Sequence, residues 1–160
     1  MVLIKECDDG FDIVYTVEDY YCGPLYGVAN LNGIPHTYQR IFDNSIDDWS
    51  DVYKLKSILK EELDLIMEAW DLWLNWLNEF DECKVNLDTH PVLPSEKKRY
   101  HEIKNLTKHC YDMNGISDIK LMVGIFKIRY MEKKNDFSNV NISKVPLQVM
   151  WKKPELLEKE

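Results

Sequence analysis

The spacing of apolar residues changes twice along this chain, and these changes restrict the folds that it can adopt. Over Phe11–Val17 every second residue is apolar, which predicts a strand with one buried face. Over Leu59–Phe80 the apolar residues lie three and four positions apart, which predicts a long amphipathic helix. Alternation returns after Ile119. The predicted order is strands at about 11–57, a helical hairpin at about 58–114 and closing strands at about 118–152.

The N-terminal segment contains four strand-like runs, which predict an antiparallel meander. Asn32-Gly33 separates the second run from the third, and both residue types tolerate the positive φ angles of a type I′ hairpin turn. The acidic stretch 43–51 surrounds Trp49 and is predicted to form a loop. The predicted strands are Phe11–Val17, Leu25–Leu31, Ile34–Phe42 and Val52–Ser57.

The central segment predicts two helices joined by a linker. Ser57 is the predicted N-cap of the first helix. Prolines stiffen the linker 82–94, and a second helix follows over Ser95–Asn114, with Gly115 as its C-terminal stop. The apolar seam of the first helix consists of Leu59, Leu63, Ile66, Trp70, Trp73, Leu77 and Phe80.

The closing segment completes an α+β fold. Its alternation changes phase beside Gly124, which predicts a bulge or a bend, and a last strand ends near Trp151. We expect a strongly bent antiparallel sheet or a small SH3-like barrel of about six strands. The two-helix hairpin is inserted between strands four and five. A chain of 160 residues is long enough to bury a sizeable core, so residues 1–160 are predicted to form a single domain.

The charge balance is acidic and uneven. The chain carries 28 Asp and Glu against 20 Lys and Arg, and its formal net charge is −8. The first 100 residues hold 20 of the acidic and 9 of the basic side chains. Because an acidic surface repels phosphate backbones, we expect no nucleic-acid partner. Charge complementarity favours a basic protein partner instead.

Cysteine spacing and hydropathy indicate the compartment. The four cysteines include no CxxC pair, so reduced thiols are expected. The longest apolar runs are far shorter than the roughly 20 residues that span a bilayer, and the N-terminal residues do not resemble a signal peptide. We therefore expect a cytoplasmic protein without membrane contact.

Cys22 and His36 are the candidates for catalysis. Cys22 precedes Gly-Pro in a turn, His36 lies on a neighbouring predicted strand, and a thiol beside an imidazole is a known nucleophile arrangement. The same residues also fit an ordinary turn and an ordinary strand. No HExxH motif or Gly-rich phosphate loop accompanies them. The sequence favours a protein without enzymatic activity, metal or cofactor, and leaves a Cys-dependent enzyme open.

Aromatic and acidic residues near two turns are the candidates for partner binding. In a small barrel such turns can lie at one end, where exposed aromatic rings bordered by carboxylates suit a basic or proline-containing peptide. The alternative is that these rings cap the barrel core. The candidate residues are Tyr20, Tyr21 and Tyr26 around the first turn, and Asp47, Asp48 and Trp49 in the acidic loop.

Two motifs, separated by the acidic loop and the Trp-rich helix, carry a family resemblance. The motifs are Tyr20-Tyr21-x-Gly23-Pro24-x-x-Gly27-Val28-Ala29-x-x-x-Gly33-x-Pro35-His36 and Asp88-Thr89-His90-Pro91-x-Leu93-Pro94. With them the chain resembles a family of small bacterial cytoplasmic proteins to which no activity is assigned. The resemblance covers most of the chain and implies a bacterial cytoplasmic setting, but it transfers no catalytic residue.

The sequence as a whole predicts a non-catalytic cytoplasmic protein-interaction protein with an acidic surface. An immunity- or antitoxin-like role is one form of this function, because an acidic surface can mask a basic toxin. A small-molecule or peptide-binding module is the first alternative, and a Cys-dependent enzyme is the second. The wide apolar surface of the first helix also predicts a homodimer through the helical hairpin.

Overall fold

Six antiparallel strands close into a barrel in the computed structural model, which describes residues 7–114, 118–129, 134, 136–137 and 141–154. Each strand pairs with the next one in the chain, and the sixth pairs with the first. The strands are β1 (Asp12–Tyr20), β2 (Pro24–Leu31), β3 (Ile34–Asp43), β4 (Asp48–Ser57), β5 (Lys120–Ile128) and β6 (Leu147–Lys152). The prediction of a small barrel of about six strands is confirmed.

The chain divides into two compact units. The barrel unit comprises Met1–Ile58 and Met113–Glu160, and the helical unit comprises Leu59–Asp112. The helical unit enters the chain between β4 and β5, as the sequence predicted, and the fold is α+β. The assignment of residues 1–160 to a single domain stays a prediction.

The Asn32-Gly33 pair forms the predicted hairpin turn between β2 and β3. Both residues have positive φ angles, 54° at Asn32 and 80° at Gly33, as a type I′ turn requires. Their backbone amides donate hydrogen bonds to the two carboxylate oxygens of Asp12, at 3.1 and 3.2 Å. The Asp12 side chain, which belongs to β1, thus stabilises the turn that the sequence predicted.

Aromatic side chains fill the barrel interior. Residues directly opposite each other in antiparallel strands point to the same face, and Tyr38 lies opposite Leu55 in the core. The buried Tyr38 hydroxyl donates to the Thr16 carbonyl at 2.8 Å. The rings of Phe126 and Trp151 pack against Tyr38, with centroid distances of 5.5 and 6.3 Å. The core of the unit therefore lies inside the barrel.

The predicted bulge at Gly124 is absent from the described part of β5. The pairing of β5 with β6 runs without interruption from Val123–Lys152 to Ile128–Leu147. Gly124 and Phe126 point into the barrel, while Val123 and Ile125 lie on its outer face. Both faces of the strand are apolar, and this produced the apparent change of phase in the sequence.

Two further boundaries differ from the sequence predictions. The predicted loop 43–51 is instead a tight hairpin, because Phe42 pairs with Trp49 and Asp43 with Asp48. Ser57 does not cap a helix, because it pairs with His36 as the last residue of β4. The first helix has Leu59 at its N-cap, and the Leu59 amide donates to the Glu62 carboxylate at 2.8 Å. A glutamate in the first turn thus replaces the predicted serine cap.

The helical unit contains α1 (Lys60–Asp81) and α2 (Lys97–Thr107). Short 3₁₀ turns flank α2 at Pro94–Glu96 and Lys108–Tyr111, so the second helix is shorter than the predicted Ser95–Asn114. Gly115 lies outside the described residues. Most of the predicted seam of α1 is buried or half-buried, although Leu59 is exposed. The buried residues of α1 are Leu63, Ile66, Ala69, Trp70, Trp76 and Leu77.

Side-chain contacts show that α1 and α2 form an antiparallel hairpin. Glu68 in the middle of α1 contacts Arg99 at the start of α2, with N–O distances of 2.7 and 2.8 Å. Glu62 at the start of α1 contacts His109, which follows the end of α2. The predicted helical hairpin is therefore confirmed. Among the described residues, the helices are all too short or too polar to cross a membrane.

Candidate functional site

Two turns of the meander lie at one end of the barrel. Adjacent strands run in opposite directions, so the β1–β2 turn and the β3–β4 turn share an end, and the β2–β3 turn lies at the other. We call the end formed by the segments 19–24 and 42–51 the acidic end. Such turns can lie at one end of a small barrel, as the sequence analysis noted, and the topology places these two turns at the same end.

The β3–β4 hairpin presents an apolar surface at the acidic end. Phe42 and Trp49 are directly opposite each other, and their rings make an edge-to-face contact with centroids 5.2 Å apart. Ile46 at the tip of the hairpin is 63% exposed, and Phe42 is 38% exposed. Trp49 itself is half-buried against Phe42. Ile46 and Phe42 are therefore more accessible to a partner than the predicted anchor Trp49.

Carboxylates surround this apolar surface. Asp47 and Asp48 are exposed, and Asp51 has a side chain that is largely in solvent. The Asp43 carboxylate accepts hydrogen bonds from the Ser45 hydroxyl at 2.6 Å and from the Ser45 amide at 2.9 Å. These hydrogen bonds lower the pKa of Asp43 below its usual value, so the group is ionised at neutral pH. The hairpin thus carries four carboxylates, of which Asp51 lies beside the Arg40 guanidinium.

The tyrosines of the β1–β2 turn fall into two groups. Tyr20 and Tyr21 are exposed at the acidic end, and Tyr20 packs edge-on against Phe137 with centroids 6.1 Å apart. Partial burial, together with the nearby Cys22 thiol, raises the pKa of Tyr20. Tyr26 lies farther along β2, opposite Gln39 on the outer face of the barrel, and is half-buried. Tyr20 and Tyr21, but not Tyr26, lie within the turn region.

A small cavity opens at the same end. Its volume is about 120 Å³. Gly124 has no side chain that could fill this space. A Cβ atom at that position would lie only 2.6 Å from the Trp151 ring. The lining residues are Cys22, Gly23, Pro24, Arg40, Asp51, Tyr53, Gly124 and Phe126.

Two charged residues line this cavity, Arg40 and Asp51, and the Arg40 side chain is only 13% exposed. Its Nε donates to the Ser50 carbonyl at 2.6 Å, and Nη2 lies 3.7 Å from the Asp51 carboxylate. The guanidinium also lies 6.0 Å from the centre of the Tyr53 ring, within cation–π range. Arg40 is opposite Tyr53 in the strand register, so the backbone pairing places both side chains at the barrel end.

Tyr53 closes one side of the cavity as a neutral hydrogen-bond donor. Its hydroxyl donates to the Pro24 carbonyl at 2.7 Å. Burial raises the pKa of Tyr53 far above its usual value, although the Arg40 charge acts in the opposite direction. The cavity lining therefore combines the Arg40 guanidinium and the Asp51 carboxylate with a neutral phenol and the Cys22 thiol.

The structure does not bring Cys22 and His36 together. Cys22 lies in the β1–β2 turn, whereas His36 is opposite Ala29, five positions beyond the start of β2. At about 3.3 Å per residue, this separation corresponds to about 16 Å along the strand. The two residues therefore lie towards opposite ends of the barrel, and this pair does not form a nucleophile and a base.

His36 is instead a buried residue of the barrel wall. Its Nδ1 lies 2.8 Å from the Ile34 carbonyl oxygen, so an Nδ1–H group can donate a hydrogen bond to that oxygen. Its Nε2 is buried without a hydrogen-bond partner among the described residues. Burial lowers the pKa of His36 and outweighs the Ile34 hydrogen bond, so the neutral imidazole is favoured.

Two groupings of polar residues were missed from the sequence. Arg40 gave no signal, because only the strand register places it beside Tyr53 and the first turn. In the helical unit, donor atoms of Glu62, His109 and Cys110 lie within 4.8 Å of one another. None of the four cysteines, all of which are among the described residues, is part of a disulfide. The adjacent His109 and Cys110 were visible in the sequence, but their proximity to Glu62 required the packing of α1 on α2.

Comparisons with known proteins give no relative. No family model, curated protein or solved structure matches this chain. The resemblance to a family of small bacterial proteins stays a prediction.

Proposed function

We propose that this protein is a non-catalytic interaction protein of the cytoplasm that binds a basic protein partner at its acidic end. The observation that carries the proposal is the exposed Ile46, which lies at the tip of a hairpin with four carboxylates. An immunity- or antitoxin-like role follows if the partner acts through the positively charged surface that this end covers. The bacterial setting is part of the same proposal.

The two kinds of side chain have different roles in this proposal. Exposed carboxylates attract a basic protein over a distance and accelerate association, and salt weakens this effect. A buried apolar contact mainly slows dissociation. Ile46 and Phe42 form the apolar centre of the docking surface, and Asp43, Asp47 and Asp48 form its charged border.

Site-specific photo-crosslinking tests the location of the docking surface. A photoreactive amino acid replaces Ile46 in one variant and Leu106 in the control variant, and both are expressed in the native cells. Leu106 is a matched control because it is an exposed leucine that belongs to the helical unit and not to the acidic end. We expect a protein of basic net charge to be cross-linked from position 46 and not from position 106.

Other cross-linking results would contradict the proposal. An acidic or neutral protein cross-linked from position 46 would refute the charge argument. Equal cross-linking of the same basic protein from both positions, or cross-linking of a basic protein from position 106 alone, would refute the location. In the purified complex, Ile46→Asp should weaken binding while leaving the melting temperature unchanged, because Ile46 is exposed.

A small-anion site is a second proposal, supported by Arg40 and the cavity beside it. The cavity volume of about 120 Å³ is far below the roughly 300–1,000 Å³ of pockets for larger ligands. The guanidinium, which also lies 3.7 Å from the Asp51 carboxylate, is the group of this lining that would bind an anion of a few atoms. Calorimetric titration with phosphate should give saturable binding that Arg40→Gln abolishes. Binding retained by that variant would refute the assignment to Arg40.

A Cys-dependent enzyme is the remaining alternative, and Cys22 would be its nucleophile. The separation of Cys22 from His36 removes the base that the sequence offered for it. We propose instead that Cys22 has no catalytic role, so Cys22→Ser should leave partner binding and folding unchanged.

The homodimer is a separate proposal for the helical unit. Leu59, Leu87 and Leu106 are exposed there, which supports an apolar contact between two copies. Sedimentation equilibrium should show a dimer that Leu106→Asp dissociates. A monomer at all protein concentrations would contradict this proposal without affecting the acidic end.

A further inference from the structure

We propose that Glu62, His109 and Cys110 form a site for a zinc-like transition-metal ion in the helical unit. The site would take one carboxylate oxygen, one imidazole nitrogen and one thiolate sulfur, which are the donor types that proteins use for zinc. It is independent of the acidic end and of the function proposed for it.

The spacing of the donor atoms fits a shared metal ion. His109 Nε2 lies 3.7 Å from Cys110 Sγ. Zinc bonds of about 2.0–2.1 Å to nitrogen and about 2.3 Å to sulfur imply an N–S separation of about 3.6 Å at the tetrahedral angle. This pair is therefore already spaced as two ligands of one tetrahedral ion.

Glu62 needs a small adjustment to become the third ligand. Its Oε2 lies 2.6 Å from His109 Nε2, which is a hydrogen-bond distance. An oxygen and a nitrogen that bind the same zinc ion lie about 3.4 Å apart. Glu62 Oε2 must therefore move away from His109 Nε2 by less than about 1 Å. Its other oxygen, Oε1, accepts a hydrogen bond from the Leu59 amide at 2.8 Å. That hydrogen bond orients the carboxylate in the way that outer contacts orient metal ligands.

Local backbone structure brings the other two ligands together. The 3₁₀ turn Lys108–Tyr111 follows α2 and places the adjacent His109 and Cys110 beside the first turn of α1. Cys110 is only 1% exposed, whereas the His109 side chain is largely in solvent. A metal ion can therefore enter from the solvent side and meet the thiol at the base of the site.

The metal-free arrangement is a hydrogen-bonded cluster of the same three groups. Burial raises the pKa of Glu62, but hydrogen bonds from the Leu59 amide, His109 and the Cys110 thiol outweigh it, and the net pKa is lowered. The same three groups are therefore held together by hydrogen bonds before a metal ion binds.

Metal binding would replace protons at the other two groups. The Cys110 thiol loses its proton to solvent as the metal–sulfur bond forms. The Nε2 proton of His109 is exchanged through solvent, and the neutral ring then carries its proton on Nδ1 and coordinates through Nε2. One carboxylate and one thiolate together balance the charge of a divalent ion. Affinity therefore rises with pH. Three protein ligands leave a fourth tetrahedral position for water.

Cobalt and zinc titrations of the untagged, reduced full-length chain test this site. Co²⁺ is the first probe, because a thiolate ligand gives a near-ultraviolet charge-transfer band. Zn²⁺ is then measured by competition with a chromophoric chelator. We expect one ion per chain and a charge-transfer band that Zn²⁺ removes.

Matched variants assign the ligands. Cys110→Ser should abolish the charge-transfer band, and His109→Asn should lower the affinity at least about tenfold. Cys83→Ser and His101→Asn are the controls, because both residues belong to the same helical unit but lie outside the cluster. The controls should bind cobalt as the wild type does.

Three results would overturn the proposal. They are the absence of a charge-transfer band in the folded wild type, a band that survives Cys110→Ser, or an affinity that His109→Asn leaves unchanged. Because Cys110 is buried, Cys110→Ser can disturb folding, and circular dichroism checks this. His109 is exposed, so His109→Asn decides the matter even if the cysteine variant does not fold.

Discussion

Replacing Gly124 with alanine tests the packing of the barrel interior. A Cβ atom at this position would lie 2.6 Å from the Trp151 ring and 3.0 Å from the Tyr53 ring. Overpacking of a core costs about 1–3 kcal/mol, whereas replacing a strand glycine with alanine recovers about 0.5–1 kcal/mol of backbone entropy. We therefore expect Gly124→Ala to lower the free energy of unfolding by about 1 kcal/mol.

Urea denaturation followed by tryptophan fluorescence measures this difference, and Gly27→Ala provides the comparison. A Cβ atom at Gly27 would lie 2.3 Å from the Thr16 carbonyl oxygen. That oxygen belongs to the backbone and cannot rotate away, so Gly27→Ala should destabilise the protein more than Gly124→Ala. A Gly124→Ala variant as stable as the wild type, or more stable than it, would refute the packing argument. The reverse order of the two variants would refute it as well.

Three further variants test the core, the helical hairpin and the buried histidine. Phe126→Ala should cost about 3–5 kcal/mol by the same urea assay, because Phe126 is fully buried in the core, and a loss below about 1 kcal/mol would contradict this. Glu68→Gln should cost less than about 1 kcal/mol, because the Arg99–Glu68 pair is partly exposed, and the loss should shrink in high salt. A loss above about 2 kcal/mol would contradict the expectation that a partly exposed ion pair stabilises the protein only weakly. The lowered pKa of His36 means that the unfolded chain binds its proton more readily than the folded chain does. The stability that depends on neutral His36 should therefore be present above about pH 6.5 and be lost as the pH falls through the lower folded pKa. His36→Asn should remove this part of the pH dependence, and identical pH profiles for the two proteins would contradict the assignment.

Local signals predicted the parts of the fold in which one sequence pattern determines one structure. Asn32-Gly33 favours a type I′ turn irrespective of its surroundings, and the structure has that turn. The spacing of Leu63, Ile66 and Trp70 predicted a helix, and these residues are its buried face. In both cases the local preference and the tertiary packing agree.

The errors arose where pairing partners decide the structure. The stretch 43–51 is polar enough to predict a loop, but the Phe42–Trp49 pair across the strands extends the hairpin into it. Around Gly124 the residues on both faces of β5 are apolar, and a single sequence does not show which face of the strand points into the barrel.

The candidate sites depended even more on tertiary structure. Tyr20, Tyr21 and Trp49 were identified from composition near turns, and the meander topology explains why they share one end. Cys22 and His36 are close in sequence, but the register of β2 with β3 separates them. Sequence spacing therefore predicted which turns meet and did not predict which side chains meet.

The most direct test of the proposed function is the association rate of the cross-linked basic partner with Asp47→Asn/Asp48→Asn at low and high salt. Both residues are exposed, so the variant should remain folded. At low salt we predict association about tenfold slower than for the wild type, and at high salt we predict equal rates, because salt screens the steering charges. Equal association rates at low salt, or a difference that persists unchanged at high salt, would contradict docking of a basic partner at the acidic end.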